Sequence, residues 1–200
     1  MEENKLRCGN IHRVTGETDI RCEINLDGSG VRKISTPIPF VNHMLDLFAK
    51  HGFFDLTVEA KGDVEVDYHH TMEDLGLTLG EALTAALGDK QQIRRYGSCL
   101  LPMDEALAQV ALDLSGRPYL VFDMSKMPNS QVGDIDVRLF YEFFYALSVK
   151  GGMNLHINVL SGAEIHHVIE GIFKAFARAL SQAVEKDARI HGVMSTKGSL

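Results

Sequence analysis

The sequence predicts a duplicated α+β fold, in which each half forms a small sheet of about four strands with two helices packed on one face. Two adjacent histidines followed by a glutamate occur twice, at His69-His70-x-x-Glu73 and His166-His167-x-x-Glu170. Each copy opens a run of apolar residues at helical spacing. The copies lie 97 residues apart in a chain of 200, and similar strand and helix patterns precede both. This order is typical of an internal repeat.

The repeat suggests a division of the chain into three parts. Residues 1–92 form the first repeat, residues 93–190 the second, and residues 191–200 a C-terminal tail.

In the first half, alternating residues over 11–26 predict two strands around a turn. Apolar residues at helical spacing then predict a helix over 39–52, and 54–60 alternates as a strand. Val64 and Val66 suggest a short partner strand. The next helix begins at the histidine pair and ends at Gly88, because glycine commonly terminates helices.

The second half follows a similar order. Residues 107–114 and 119–124 predict strands, 137–149 a helix and 153–160 another strand. The helix that starts at the second histidine pair turns one apolar face inward. The residues of that face are Ile169, Ile172, Phe173, Phe176 and Leu180.

Composition limits the classes of function. Apolar residues make up 45% of the chain, as in a globular protein, and 27 acidic against 20 basic residues give a net charge of −7. Without a run of lysine or arginine this balance argues against nucleic-acid binding. No stretch approaches the roughly 20 apolar residues of a bilayer helix, and the polar start does not resemble a signal peptide. We therefore expect a cytoplasmic enzyme with a small-molecule substrate.

The three cysteines do not suggest a disulfide framework or a zinc knuckle. Cys8, Cys22 and Cys99 are odd in number and far apart in sequence. We expect them to be reduced thiols that are buried or incidental.

The histidine pairs are candidate metal ligands. On a helix the glutamate follows the two histidines by four and three residues, so all three side chains cluster at one end. Adjacent positions differ by about 100° around the axis, so the two imidazoles should face different targets. A lone histidine more often caps or packs, but the repetition favours metal. His43 and Glu142, early in each preceding helix, extend the set.

Eight side chains therefore form the predicted ligand set: His43, His69, His70, Glu73, Glu142, His166, His167 and Glu170. Imidazole and carboxylate without thiolate suit Mn, Fe, Ni, Co or Zn in a site that is not a structural cysteine centre. The helix geometry suggests two sites. One consists of His69, Glu73, Glu142 and His167, and the other of His43, His70, His166 and Glu170. A single chain could close both sites, or subunits could share them.

Cationic and hydroxyl groups elsewhere could bind a phosphate. The tail at 194–198 offers Ser195 and Lys197 in a flexible setting, and arginine forks match phosphate oxygens well. Arg94-Arg95, Arg117 and Lys174 could add contacts, although solvated surface charge is the commoner explanation for each alone.

Further motifs accompany the histidine pairs along the chain. They are RVTGET at 13–18, INLDGSG at 24–30, NHMLD at 42–46, HGFFDL at 51–56, DLSGRP at 113–118, FKAFARAL at 173–180 and STKG at 195–198. With these motifs the chain resembles the imidazoleglycerol-phosphate dehydratase family over about residues 13–198.

The resemblance implies manganese-dependent dehydration of D-erythro-imidazole glycerol phosphate to imidazole acetol phosphate, in histidine biosynthesis. It also implies two Mn²⁺ ions per active site and a homo-oligomer of 24 subunits, built from trimers with active sites at subunit contacts. A dinuclear metallohydrolase of a phosphorylated small molecule is the enzymatic alternative. A metal-assembled shell without activity is the other, but it would not need the anion-binding residues.

The resemblance also implies roles for particular residues. Glu17 matches an acid/base carboxylate, and His51 matches a residue that approaches the substrate from a neighbouring subunit. The phosphate-binding positions fall on Arg95, Arg117, Lys174, Ser195 and Lys197. Two positions depart from the family pattern. Glu142 stands where some members carry a histidine ligand, and Leu47 replaces a frequent glutamine.

Overall fold

The computed structural model describes residues 7–200, and its first half consists of a four-stranded sheet and two helices. The elements are β1 (Cys8–Val14), β2 (Thr18–Asn25), β3 (Arg32–Ser35), α1 (Pro39–Gly52), β4 (Asp55–Gly62) and α2 (His69–Leu87). The polar start that we judged unlike a signal peptide, residues 1–6, lies outside the described residues. No helix between residues 7 and 200 is long and apolar enough to cross a membrane.

The second half repeats this arrangement and adds a small hairpin. Its elements are β5 (Tyr96–Met103), β6 (Ala106–Asp113), β7 (Tyr119–Asp123), β8 (Gln131–Val132), β9 (Ile135–Asp136), α3 (Arg138–Gly151), β10 (Asn154–Ser161) and α4 (Ile165–Val184). The strand orders β1-β2-β4-β3 and β5-β6-β10-β7 are equivalent, and in each sheet only the last pair is parallel. The predicted duplicated α+β fold is confirmed. The division at residues 92 and 190 stays a prediction.

The four helices lie between the two sheets. Helix α2 packs against β1 and β2, and α4 packs against β5 and β6. The two halves meet through α2 on α3 and through α1 on α4. The α1–α4 contact is the one that matters for the site, because it brings a histidine of the first half to the second histidine pair.

Aromatic side chains fill the space between the helices. The Phe48 ring of α1 stacks on Phe176 of α4 with centroids 5.5 Å apart, and Phe144 of α3 lies 5.1 Å from Phe173 of α4. All four are buried. Burial of such rings is the main stabilising contribution here, and their mutual contacts fix the relative positions of the helices.

Two glycines allow the first strand of each sheet to touch a helix backbone. A Cβ atom on Gly9 would lie 1.9 Å from the carbonyl oxygen of Ala82 on α2. A Cβ atom on Gly97 would lie 1.8 Å from the carbonyl oxygen of Ala179 on α4. The same close approach in both halves is a further sign of duplication.

One predicted strand was wrong. Val64 and Val66 lie in a turn closed by the Val66 amide donating to the Asp63 carbonyl, and Val66 is exposed. The fourth strand of the first sheet is β3, which pairs in parallel with β4. Its four residues are mostly exposed, so it lacks the apolar alternation by which strands are recognised. Strand β5 and the β8–β9 hairpin were likewise not predicted.

Candidate active site

Three predicted metal ligands converge where α1 packs against α4. His43 comes from α1, and His166 and Glu170 lie one turn apart at the start of α4. The Oε2 atom of Glu170 lies 3.3 Å from His43 Nε2 and 3.4 Å from His166 Nε2. All three ligand atoms are within 4.8 Å of one another.

This cluster fits a divalent ion. Ligand atoms about 2 Å from a common ion have separations close to those of the Glu170 oxygen and the two ring nitrogens. The other carboxylate oxygen, Oε1, accepts from Lys174 Nζ at 2.5 Å. Burial alone would raise the pKa of Glu170, but Lys174 and His43 hold it below its ordinary value. The carboxylate therefore keeps its negative charge in a largely buried position.

The equivalent residues of the other half lie near one another but do not form an equally tight group. His69 Nε2 is 3.8 Å from Glu73 Oε2, one turn later on α2. His69 and Glu142 line the same cavity, of about 570 Å³, where α2 meets the β8–β9 hairpin. The Tyr68 hydroxyl donates to Asp134 of that hairpin at 2.5 Å and so ties it to the start of α2.

The second histidine of each pair faces away from these groups, as the angular spacing on a helix requires. His70 Nδ1 lies 3.0 Å from Asp63 Oδ2, and His167 Nδ1 lies 2.9 Å from Glu105 Oε2. These hydrogen bonds are the main reason that the pKa values of both histidines are raised. The bond to His167 likewise lowers the pKa of Glu105 to about 2.

Sequence reasoning missed Asp63 and Glu105. Asp63 stands seven residues before His70, next to the segment of Val64 and Val66 that we predicted as a short strand. Glu105 stands 62 residues before its histidine, in the turn between β5 and β6, so no local spacing could have indicated it.

Glu17 lies beside His70. It is exposed in the turn between β1 and β2, and its Oε1 atom is 3.7 Å from His70 Nε2. Its carboxylate is therefore free to meet a ligand that approaches this ring nitrogen from solvent.

The tail forms a cationic cavity of about 1220 Å³ with the start of the second sheet. Four of the five predicted phosphate-binding residues line it: Arg95, Arg117, Ser195 and Lys197. Arg95 is buried, and its Nε and Nη2 atoms donate to Asp113 while Nη1 donates to the Met194 carbonyl. The bond to Asp113 raises the pKa of Arg95. Arg95 thus holds the tail against the sheet.

Two predicted substrate residues do not line this cavity. Lys174 is bound to Glu170. Glu170 belongs to the group formed with His43 and His166, which we call the metal cluster. His51 is half-buried near the end of α1, where burial and the nearby cations Lys174 and Arg178 lower its pKa. The structure therefore groups Lys174 and His51 with the helices and not with the tail.

The cavity and the metal cluster lie at opposite ends of α4. The Arg95 amide donates to the carbonyl of Ala183, which is near the end of that helix. His166, at its start, is 17 residues earlier, which corresponds to about 26 Å of helix at 1.5 Å per residue. The cavity and the metal cluster are therefore separated by most of the length of α4.

This fold and site define a class of protein: a duplicated α+β chain with a cluster of side chains that could hold a divalent ion and a separate cavity lined by cations. Residues 36–180 match the family model described as imidazoleglycerol-phosphate dehydratase. A protein of that name from Geobacter sulfurreducens is 55% identical over 97% of this chain and 99% of its own length. The one from Acetivibrio thermocellus is 58% identical over 95% and 97%.

Solved structures agree. The Staphylococcus aureus imidazoleglycerol-phosphate dehydratase has a TM-score of 0.81 and 39% identity, covering 90% of this chain and 99% of its own. A Pyrococcus furiosus structure, in complex with (S)-C348, has a TM-score of 0.83 and 36% identity, covering 95% and 100%. The chain belongs to the imidazoleglycerol-phosphate dehydratase family, and its activity is that of a hydro-lyase of histidine biosynthesis.

Proposed function

We propose that the chain catalyses the manganese-dependent dehydration of D-erythro-imidazole glycerol phosphate to imidazole acetol phosphate, with two Mn²⁺ ions per active site. The convergence of His43, His166 and Glu170 is the observation that carries this proposal. Imidazole and carboxylate without thiolate are ligands that suit Mn²⁺. The full proposed ligand set is His43, His69, His70, Glu73, Glu142, His166, His167 and Glu170.

The reaction removes a hydroxyl group and a hydrogen from neighbouring carbons as water, and the enol that remains becomes the ketone. When bound, the metal ions would supply positive charge that stabilises electron density on the substrate's ring. Glu17 is the residue that we assign to move the carbon-bound proton. Its exposure and its 3.7 Å distance from His70 support this assignment.

The phosphate would be held by Arg95, Arg117, Ser195 and Lys197 in the tail cavity. Arg117 and Lys197 are exposed and can turn to an anion, whereas Arg95 is bound to Asp113 and positions the tail around it. A charge-assisted grip on the phosphate would fix the reacting carbons relative to Glu17. The phosphate contacts of Lys174 and the substrate contact of His51 stay predictions.

We further infer that each active site is shared between copies of this chain. The metal cluster and the tail cavity of one chain lie too far apart for one substrate molecule, so the two parts must come from different subunits. His70 and His167, which face away from the clusters of their own chain, would then serve neighbouring ions. An assembly of 24 subunits built from trimers satisfies these requirements.

The outer face of the second sheet carries three exposed apolar side chains. Tyr96, Leu100 and Tyr119 point outward from β5 and β7 and are 53%, 59% and 63% exposed. The equivalent face of the first sheet instead carries the charged residues Arg21 and Glu59, directly opposite each other. Asp113 and Asn154 stand between Tyr96 and Tyr119 on this face, and Gln109 stands beside Leu100, so the three side chains are separate exposed apolar groups that a second copy could cover.

Turnover of imidazole glycerol phosphate by manganese-reconstituted protein tests the proposal. Glu17→Gln should lower kcat by about 10²- to 10⁴-fold, the range typical of a general acid-base group, with metal content unchanged. Lys197→Ala should instead raise KM more than it lowers kcat, because it removes a binding contact. Near-normal kcat in Glu17→Gln at full metal occupancy would exclude Glu17 as the base.

A further inference from the structure

The outward-facing histidines share one feature that the reaction itself does not require. In each, the Nδ1 atom is bound by a carboxylate of its own chain, Asp63 for His70 and Glu105 for His167. The Nε2 atoms remain directed outward, 3.7 Å from Glu17 and 3.9 Å from Asp104. Both halves of the molecule thus use the same arrangement.

An ionised carboxylate can only accept a hydrogen bond, so the Nδ1 atom opposite it must donate. In a neutral imidazole the single ring proton then stays on Nδ1, and Nε2 keeps its lone pair. A histidine that binds a metal through Nε2 needs this tautomer, and carboxylates that fix it commonly raise the basicity of the ligand nitrogen.

We propose that Asp63 and Glu105 are positioning residues, which hold His70 and His167 in the Nδ1–H tautomer and aim each Nε2 at an ion. The inference rests on the proposed metal role of these histidines. The two carboxylates would act through the histidines that they hold, and they come from turns in different places of the two repeats.

The two carboxylates are held differently. Glu105 Oε1 also accepts from the backbone amides of Ala163 at 3.3 Å and Glu164 at 2.8 Å, so the side chain is fixed to the start of α4. Asp63 Oδ1 is buried and has no hydrogen-bond partner in the described part of the chain. Glu105 should therefore orient its histidine more rigidly than Asp63 does.

Histidine-labelled protein, studied by nitrogen NMR without metal at alkaline pH, gives the first test. We expect His167 as the Nδ1–H tautomer in the unaltered chain, and a shift toward the Nε2–H tautomer that water favours in Glu105→Ala. Glu105→Gln should keep much of the Nδ1–H form, because the amide oxygen still accepts from Nδ1. Asp104→Asn is the matched control: it removes the neighbouring charge from the same turn, and asparagine tolerates the left-handed backbone there.

The second test is manganese affinity, measured by competition with a fluorescent chelator. Glu105→Ala should lower the affinity for one of the two manganese ions by about 10- to 100-fold, and Asp63→Ala should lower the affinity for the other by less. Asp104→Asn removes a nearby charge but keeps the bond to Nδ1, so it should weaken manganese binding less than Glu105→Ala does. Glu105→Gln should recover part of the loss. Melting of the metal-free variants shows whether the fold is intact.

Three results would overturn the proposal. In the first, His167 keeps the Nδ1–H tautomer in Glu105→Ala. In the second, the manganese affinity of Glu105→Ala falls only in proportion to the loss of thermal stability of the metal-free protein. A changed tautomer with unchanged manganese affinity would show instead that His167 is not a metal ligand. The dehydratase activity is measured separately by turnover, so this result would overturn the role of Glu105 without overturning the activity. If Glu105→Ala does not fold, Asp63→Ala and the tautomer of His70 decide the question.

Discussion

Mixed assemblies of two inactive variants should regain activity if subunits share active sites. The first variant is Glu170→Ala, which removes the carboxylate from the metal cluster. The second combines Arg117→Ala with Lys197→Ala, which removes two exposed cations from the tail cavity. Loss of hydrogen bonds to a charged group costs about 1.5–3 kcal/mol each, so the double variant should lose at least about 10²-fold in kcat/KM.

The fraction of activity recovered depends on whether the metal cluster and the tail cavity of one active site come from the same chain or from different chains. When the metal cluster and the cavity come from different chains, each is intact with a probability of one half in an equal, random mixture. About one quarter of the sites in a symmetric assembly are then complete. When both parts come from the same chain, every site lacks one of them. The two arrangements therefore predict about 25% and almost no recovery, respectively.

The variants can be produced together with different tags and purified through both, with native mass spectrometry to verify mixing. Turnover at substrate concentrations below KM is then compared with that of each variant alone. The matched control pairs Glu170→Ala with His166→Ala, which share one cluster on one chain, and should recover nothing. Absence of recovery in verified mixtures of the first pair would refute the shared-site geometry.

Three further predictions concern assembly, packing and thiol chemistry. Chelation should reduce a particle near 24 subunits to one near a trimer and manganese should restore it, as followed by light scattering, because shared ions couple assembly to metal; an unchanged metal-free particle would contradict this. Gly97→Ala should destabilise the protein by about 1–3 kcal/mol in thermal or denaturant unfolding, since its Cβ atom would meet the Ala179 carbonyl. As a control, the Cβ atom of Gly16→Ala would have no neighbour within 4 Å in the described part of the chain beyond the two adjacent residues, so this variant should change stability by less than about 0.5 kcal/mol. Burial raises the pKa of the Cys22 thiol to about 12, so mass spectrometry after alkylation should find exposed Cys8 modified and Cys22 untouched until the protein unfolds.

Much of the architecture followed from local patterns. The spacing of apolar residues predicted all four helices, because a helix that buries one face must repeat its apolar residues every three to four positions. The repeated histidine pairs showed the duplication for a similar reason, since equivalent residues keep their places in equivalent elements. Short edge strands such as β3 were not predicted, because an exposed strand of four residues needs no alternation of apolar and polar residues.

The sequence by itself determined the candidate ligand types, their clustering at two helix starts and the family. It could not show which ligands meet, because His43 reaches His166 and Glu170 only through the packing of α1 on α4. Only the tertiary structure placed Lys174 on Glu170 and Glu105 on His167, and it alone put the tail cavity at the far end of α4 from the metal cluster. These contacts join residues that are distant in sequence or depend on a side chain's direction, and local spacing fixes neither.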